Sequence, residues 1–434
     1  PSAVCSPTRY GILTGRYAWR SRLKKGVVRA YERALIDEGR ATVASLFRDN
    51  GYQTAAIGKW HLGMNWQDAN GAPTESAKQV DFSKKILHGP TARGFDFYYG
   101  DDIINWCPFR WIENDETLDL ATHPHVNSQV LSTITAKSVE YIKAQAQTSE
   151  PFFLYMPLTA PHSPIAPMDG TAELQSVYSY DSLSDYEKFI ANVDWSVGRV
   201  LKALDDQGIR DNTMIVFTSD NGVSKNFSTQ DDVSPGFVAG ELLRGQKADI
   251  WEGGHRMPFI VEWAGQIEAG SVSDEYVELN DFYATVAEII GTEIDQHEAE
   301  DSYSLLSVLK GETLAGPLRE AGVNHSITGK FAVRHIDGNG NEWKLIYGFG
   351  SGGFTKGKGP VIDPQAPITD LADFRLYNLT DDPNESDPFC LDRGNVTDEI
   401  RAKIFELDKI LKRYISTGRS APEHVELTPM LSQR

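Results

Sequence analysis

Cysteine is scarce in this chain. Three residues in 434, Cys5, Cys107 and Cys390, are too few for a disulfide framework. If Cys5 is otherwise engaged, Cys107 and Cys390 are the remaining pair, and sequence alone does not decide whether they bond. Basic residues are also short: 42 Lys and Arg stand against 61 Asp and Glu, a formal net charge of −19. That balance excludes a general nucleic-acid binder, which needs a basic face. It also requires any anionic ligand to be held by a local positive pocket against an unfavourable overall field. No apolar run reaches membrane-spanning length, and there are no internal repeats. No secretory signal is visible at the start of the chain.

What is present is an alternation of strand-length apolar runs with helical patterns, the sign of an α/β fold. The expected architecture is a mainly parallel or mixed central sheet flanked by helices, with a smaller C-terminal antiparallel sheet and helix. Residues 42–51 read as a helix capped by Thr42, followed by a buried strand at 53–57. Residues 128–146 have helical character and lead into a strand at 152–156. A long amphipathic helix spans 184–207, with Phe189, Val193, Val197, Val200, Leu201 and Leu204 on one face. The next strand runs from 214 to 218. A second unit is expected over 326–434, after a first of 1–325; it contains strands near 343–347 and 374–379 and a helix over about 397–416.

The polar clusters share one address. Lys59 and His61, then His162, then Asp220 and Asn221 each follow the C-terminal end of a predicted strand. In open α/β sheets that edge binds ligands. Near the start, Pro7 suits the first turn of a helix, whose free N–H groups and positive dipole end would face Cys5. Arg9, one turn on, carries a planar fork of donors for oxygen atoms. Asp220 and Asn221 offer hard oxygen ligands of the kind that Ca²⁺ or Mg²⁺ takes.

Six blocks occur in order: C-S-P-T-R-Y-G-I-L-T-G-R from Cys5, G-K-W-H-L-G from Gly58, A-P-H-S-P around His162, S-D-N-G from Ser219, R-G-Q-K from Arg244 running on to E-G-G-H-R-M-P, and L-Y-N-L-T-D-D-P-N-E from Leu376. Together they resemble the formylglycine-dependent sulfatases of the alkaline phosphatase superfamily. The resemblance implies that Cys5 is oxidised by a formylglycine-generating maturation enzyme, and that Arg9 holds the resulting group. It implies that Lys59 and Lys247 contact the sulfate, that His61 takes a proton from the nucleophile, and that His162 lies near the leaving-group oxygen. Asp220, Asn221 and the Cys5-derived group would hold a divalent ion, usually Ca²⁺, with two further aspartates. The family carries those aspartates on a first strand upstream of the cysteine, so the chain is expected to lack its N-terminal part, any signal peptide included, and to bind metal poorly as it stands. The adjacent pair Asp101-Asp102 lies in the wrong context for that role.

G-F-D-F-Y-Y-G from Gly94 and W-I-E-N-D from Trp111 are similar to the arylsulfatase A and N-acetylgalactosamine-6-sulfatase branch, while residues 101–110 between them depart from it. A sulfated carbohydrate is the expected substrate, ahead of small aryl sulfates. Trp106, Trp111 and the glycine-rich stretch 348–359 are candidates for a sugar-binding rim, packing being equally open for the tryptophans. By the same resemblance the protein is periplasmic or secreted. Two alternatives stay open: a phosphate or phosphonate monoester hydrolase of the same superfamily, and a non-catalytic binder of sulfated glycans.

Overall fold

The computed structural model describes residues 2–103, 110–118, 128–224, 243–386, 388–389 and 396–422. Trp106, Cys107 and Cys390 lie outside the described residues; Cys5 is a free, buried thiol. The chain opens with helix α1 (Cys5–Thr14), then α2 (Val43–Asp49) and strand β1 (Gln53–Lys59). A short ribbon of β2 (Trp66–Gln67) and β3 (Pro73–Thr74) precedes β4 (Phe97–Asp101), β5 (Ile112–Glu113) and β6 (Glu116–Thr117). Helix α3 (Gln129–Gln145) leads to β7 (Phe152–Tyr155). The five-stranded sheet has the order β6-β5-β4-β1-β7. Its strands β4, β1 and β7 are parallel, and β5 and β6 are added antiparallel, so the sheet is mixed.

β1 is the centre of that sheet because both of its faces are apolar. Ala55 and Ile57 pack with Val130 and Ile134 of α3 on one side. Ala56 packs with Tyr10 and Leu13 of α1 and Ala44 of α2 on the other. Such a strand, buried on both faces, fits the middle of an α/β sheet. α2 starts where Thr42, the cap that sequence had marked, accepts from the backbone N–H of Ser45, and the Ser45 side chain completes a capping box.

After α4 (Ala172–Tyr178), the long helix α5 (Asp185–Asp206) begins at a second capping box, Ser184 with Glu187. Phe189 and Leu204 of its expected apolar face are buried, the rest half-buried. β8 (Ile215–Thr218) was expected to continue the central sheet. Instead it pairs antiparallel with β9 (Phe259–Glu262), and among the described residues it has no ladder to β7. Its apolar side still joins the same layer: Ile215 packs with Phe152 and Leu154 of β7 against Ile142 and Leu204.

Between these strands lies the one-turn helix α6 (Glu252–His255); α7 (Phe282–Ile290) packs on α2, and α8 (Leu306–Leu309) follows. The C-terminal sheet is antiparallel, in the order β10 (Ala321–His325), β11 (Phe331–Ile336), β12 (Glu342–Tyr347), β13 (Phe374–Asn378). It therefore starts before residue 326, because the A-G-V-N-H segment, which carries no strand pattern, pairs along its length with β11. Helix α9 (Asp398–Thr417) covers one face with Ile404, Leu407, Leu411 and Tyr414. The other face takes Ile250 and Trp251, next to α6. Among the described residues no helix is long and apolar enough to cross a membrane.

Candidate active site

Four chain segments meet at Cys5. The thiol is the first residue of α1, two residues earlier than Pro7 suggested, so Pro7 sits third in the first turn, where its missing N–H costs nothing. Cys5 is 3 % exposed. Its Sγ lies 3.4 Å from Asn221 Oδ1 and 3.6 Å from Lys247 Nζ. Burial alone would raise its pKa, but the ammonium groups of Lys59 and Lys247, with the neighbouring His162 and His61 side chains, carry it well below the ordinary thiol value. The surroundings of this position therefore favour negative charge.

Lys59 ends β1, and the residue before it explains how. Gly58 has φ 137°, and a Cβ there would lie 2.3 Å from the Pro157 carbonyl oxygen. Only glycine allows the close approach that lets the Lys59 N–H donate to that carbonyl at 2.9 Å. Burial lowers the Lys59 pKa to about 8. His61, with φ 58°, sits in the left-handed region, a conformation a histidine holds only when its surroundings fix it. Those surroundings are the Asp101-Asp102 pair. The Trp60 and His61 N–H groups donate to the Asp101 and Asp102 carbonyls at 3.0 and 2.7 Å, and the Gly63 N–H donates to Asp102 Oδ1 at 3.2 Å. Trp60 packs inward, 1 % exposed.

The His61 ring has one fixed edge. Its Nε2 lies 3.0 Å from the Val28 carbonyl, which only accepts, so Nε2 carries the hydrogen. The Val28 N–H in turn donates to Ser6 Oγ at 3.1 Å. Nδ1 is left as the acceptor edge, and Cys5 is the side chain that His61 faces. Burial, then the charge of Lys59, lowers the His61 pKa to about 4, so the ring is neutral and able to take a proton. His162 holds its Nδ1 2.7 Å from the Ser163 carbonyl and also interacts with Cys5.

Arg9 is bound to two neighbouring segments. Its Nε and NH2 donate to Asp220 Oδ2 at 3.0 and 2.9 Å, and its NH1 donates to the Lys59 carbonyl at 2.7 Å. The guanidinium thus ties the end of β1 to the end of β8 and orients Asp220, while adding positive charge near Cys5. Tyr155 at the end of β7 completes its surroundings. Tyr155, Ser6 and the Asp101-Asp102 pair are site residues that motif reading passed over. The G-D-D at the C-terminal end of β4 was the available signal.

Asn221 donates from Nδ2 to the Gly222 carbonyl, which turns Oδ1 toward Cys5. Asp220 and Asn221 are hard oxygen donors that suit Ca²⁺ or Mg²⁺, but a Ca²⁺ shell takes about 6–8 oxygens. Among the described residues no group of three or more His, Cys, Asp or Glu gathers as a metal cage. These two residues fit as part of a shell, not the whole. The positive charge facing Cys5 is that of Lys59 and Lys247.

Comparison with known proteins agrees with this arrangement. The family model described as Sulfatase matches residues 1–292. The chain is 26 % identical to an N-acetylgalactosamine-6-O-sulfatase of Bacteroides thetaiotaomicron, over 95 % of this chain and 84 % of that protein. It is 25 % identical to human arylsulfatase D, over 92 % of this chain and 77 % of the relative. In fold it is similar to a sulfatase from a Pseudoalteromonas species, with TM-score 0.71, 20 % identity and coverage of 98 % and 82 %. It is also similar to a protein solved with its substrate D-glucosamine-2-N,6-O-disulfate, with TM-score 0.62, 17 % identity and coverage of 96 % and 90 %. The fold is the alkaline phosphatase-like one of sulfatases. The chain belongs to the sulfatase family, enzymes that hydrolyse sulfuric esters.

Proposed function

We propose that this sulfatase removes sulfate from a sulfated carbohydrate, with Cys5, after conversion to formylglycine by a maturation enzyme, as its nucleophile. The observation that carries the reading is the convergence of Lys247 Nζ, Asn221 Oδ1, Lys59, His61 and His162 on one buried residue at a helix N-terminus. The names of the relatives support the substrate class: one acts on N-acetylgalactosamine 6-O-sulfate, and another was solved with a sulfated glucosamine.

The hydrated aldehyde of formylglycine supplies a hydroxyl oxygen that attacks sulfur while the S–O bond to the sugar breaks. A divalent ion held by Asp220, Asn221 and that group would add positive charge at the sulfuryl oxygens. The chain's own residues do the rest. Lys59 and Lys247 bind sulfuryl oxygens whose charge grows in the transition state. His162 or Lys247 donates a proton to the departing sugar oxygen. His61 then takes the proton of the remaining hydroxyl at Nδ1, because its Nε2–H is committed to the Val28 carbonyl, so that the aldehyde reforms and the C–O bond to sulfate breaks, releasing it. Arg9 holds Asp220 and the end of β1 in register with these groups. The same family reading assigns the protein to the periplasm or the exterior.

The test is peptide mass spectrometry of Cys5 after co-expression with a formylglycine-generating enzyme, together with sulfate release from sulfated oligosaccharides. Formylglycine at position 5 and release that depends on it are expected. Full turnover with an unmodified cysteine would overturn the reading.

A further inference from the structure

The stretch between β12 and β13 folds into a tongue. The Ser351 N–H donates to the Gly357 carbonyl at 3.0 Å and the Gly352 N–H to the Lys358 carbonyl at 2.9 Å, so two limbs run side by side. The buried Lys330 ammonium clasps both, donating to the carbonyls of Phe349 and of Lys358, the latter at 3.1 Å.

The tip rests on the turn that carries Lys247. A Cβ on Gly353 would lie 2.4 Å from the Ala248 carbonyl carbon, so the tongue lies directly on the residue after Lys247. The Thr355 N–H donates to Asp249 Oδ1 at 3.1 Å and its hydroxyl to Oδ2 at 2.6 Å, while Gln246 Nε2 donates to Thr355 Oγ1 at 3.2 Å. Residues on both sides of Lys247 therefore grip the tongue. Gly353 and Thr355 face this turn. Phe354 between them is 41 % exposed, and Lys356 and Lys358 beyond it are exposed. Neither ammonium is ion-paired among the described residues. On a chain of net charge −19 these two cations beside an open ring place local positive charge at the tongue tip.

We propose that the tongue tip is a second subsite for an anionic carbohydrate chain, next to the sulfate pocket. Phe354 lies against a sugar ring, and Lys356 and Lys358 meet a sulfate or carboxylate on a neighbouring residue of the same chain. The proposal rests on the sulfatase reading and deepens it, since it makes a polyanionic oligosaccharide, rather than a small aryl sulfate, the ligand that uses the whole site. Ring faces and exposed cations are the groups that suit such a ligand.

The test uses Phe354→Ala and the double variant Lys356→Gln/Lys358→Gln. Matured enzyme is assayed on an aryl sulfate and on a panel of chondroitin sulfate, heparan sulfate, carrageenan and fucoidan oligosaccharides. The ratio of kcat/KM for the best oligosaccharide to that for the aryl sulfate is expected to fall about tenfold in the double variant, with a weaker dependence on salt. Binding of labelled oligosaccharides to Cys5→Ala protein is expected to weaken by a similar factor. Equal losses on both substrate classes, or no panel member bound better by the parent tongue than by the variants, would overturn the subsite. Tongue-dependent binding by a protein that hydrolyses no sulfate ester would retain the subsite and sink the sulfatase mechanism instead.

Discussion

Replacing Lys344 with Met tests the strut that supports the Lys247 turn. Lys344 is fully buried, with its Nζ 2.8 Å from Glu252 and 2.9 Å from Glu385. Glu252 starts α6, five residues after Lys247. It also meets Arg334 NH1 at 2.7 Å, and its N–H donates to Glu385 at 2.6 Å. Methionine fills the lysine stem's space but leaves two buried carboxylates with one cation. Breaking a buried pair by removing one partner costs about 3–5 kcal/mol. Arg334 remains for Glu252, so the lower end, ~3 kcal/mol, applies. With an unfolding entropy of roughly 0.9 kcal/mol/K for a chain of this size, the expected drop in Tm is about 3 °C. The pH dependence has a definite sign. Burial already raises Glu385's pKa, and Lys344 is its largest compensating charge. Without Lys344 the folded state holds a proton at Glu385 that the unfolded state has released, so the deficit shrinks as the pH falls and is largest in the alkaline range. Differential scanning fluorimetry of parent and variant from pH 5 to 8.5 measures both features. An unchanged Tm, or a deficit independent of pH, would refute the reasoning.

Two further outcomes follow from the site. Burial, and for Asp102 also the charge of Asp101, raise both pKa values to about 7, so the folded chain holds protons the unfolded chain has lost. Its stability is therefore expected to fall as the pH rises through about 7; Asp102→Asn, which keeps an acceptor for Gly63, should flatten that fall in thermal melts. Lys247→Ala is expected to lower kcat on a sulfate ester ~10²–10³-fold with little change in Tm, by steady-state kinetics on matured enzyme, since the side chain points at Cys5 and is half-buried.

How much of this was legible in the sequence follows the physics of each part. β1, α2 and α5 carry their own signals, namely an apolar run, a Thr42 cap and an amphipathic face, and the structure forms them within a few residues of expectation. Cys5, Lys59, His61, His162, Asn221 and Lys247 were legible because short motifs fix side chains to strand ends or to a helix start, and these residues do gather. Partners set by tertiary contact were not legible. The Arg9 bonds to Asp220 and to the Lys59 carbonyl arise because two strand ends bring a carboxylate and a carbonyl within reach of its fork. The Asp101-Asp102 pair was set aside as a metal motif, yet its carbonyls and one carboxylate hold the His61 loop. β8 paired with β9 across a sequence gap of forty residues, which no local pattern encodes. β10 lacked a strand pattern and was fixed by long-range pairing, chiefly with β11. The tongue's grip on Asp249 depends on glycine contacts that composition flags but does not direct.

The most direct test of the central claim is hydrolysis of matched aryl sulfate and aryl phosphate by the protein co-expressed with a formylglycine-generating enzyme. Cys5→Ala is the control. The account predicts faster turnover of the sulfate, lost by at least ~10³-fold in the control. Faster phosphate turnover, or sulfate turnover that survives in Cys5→Ala, would contradict it.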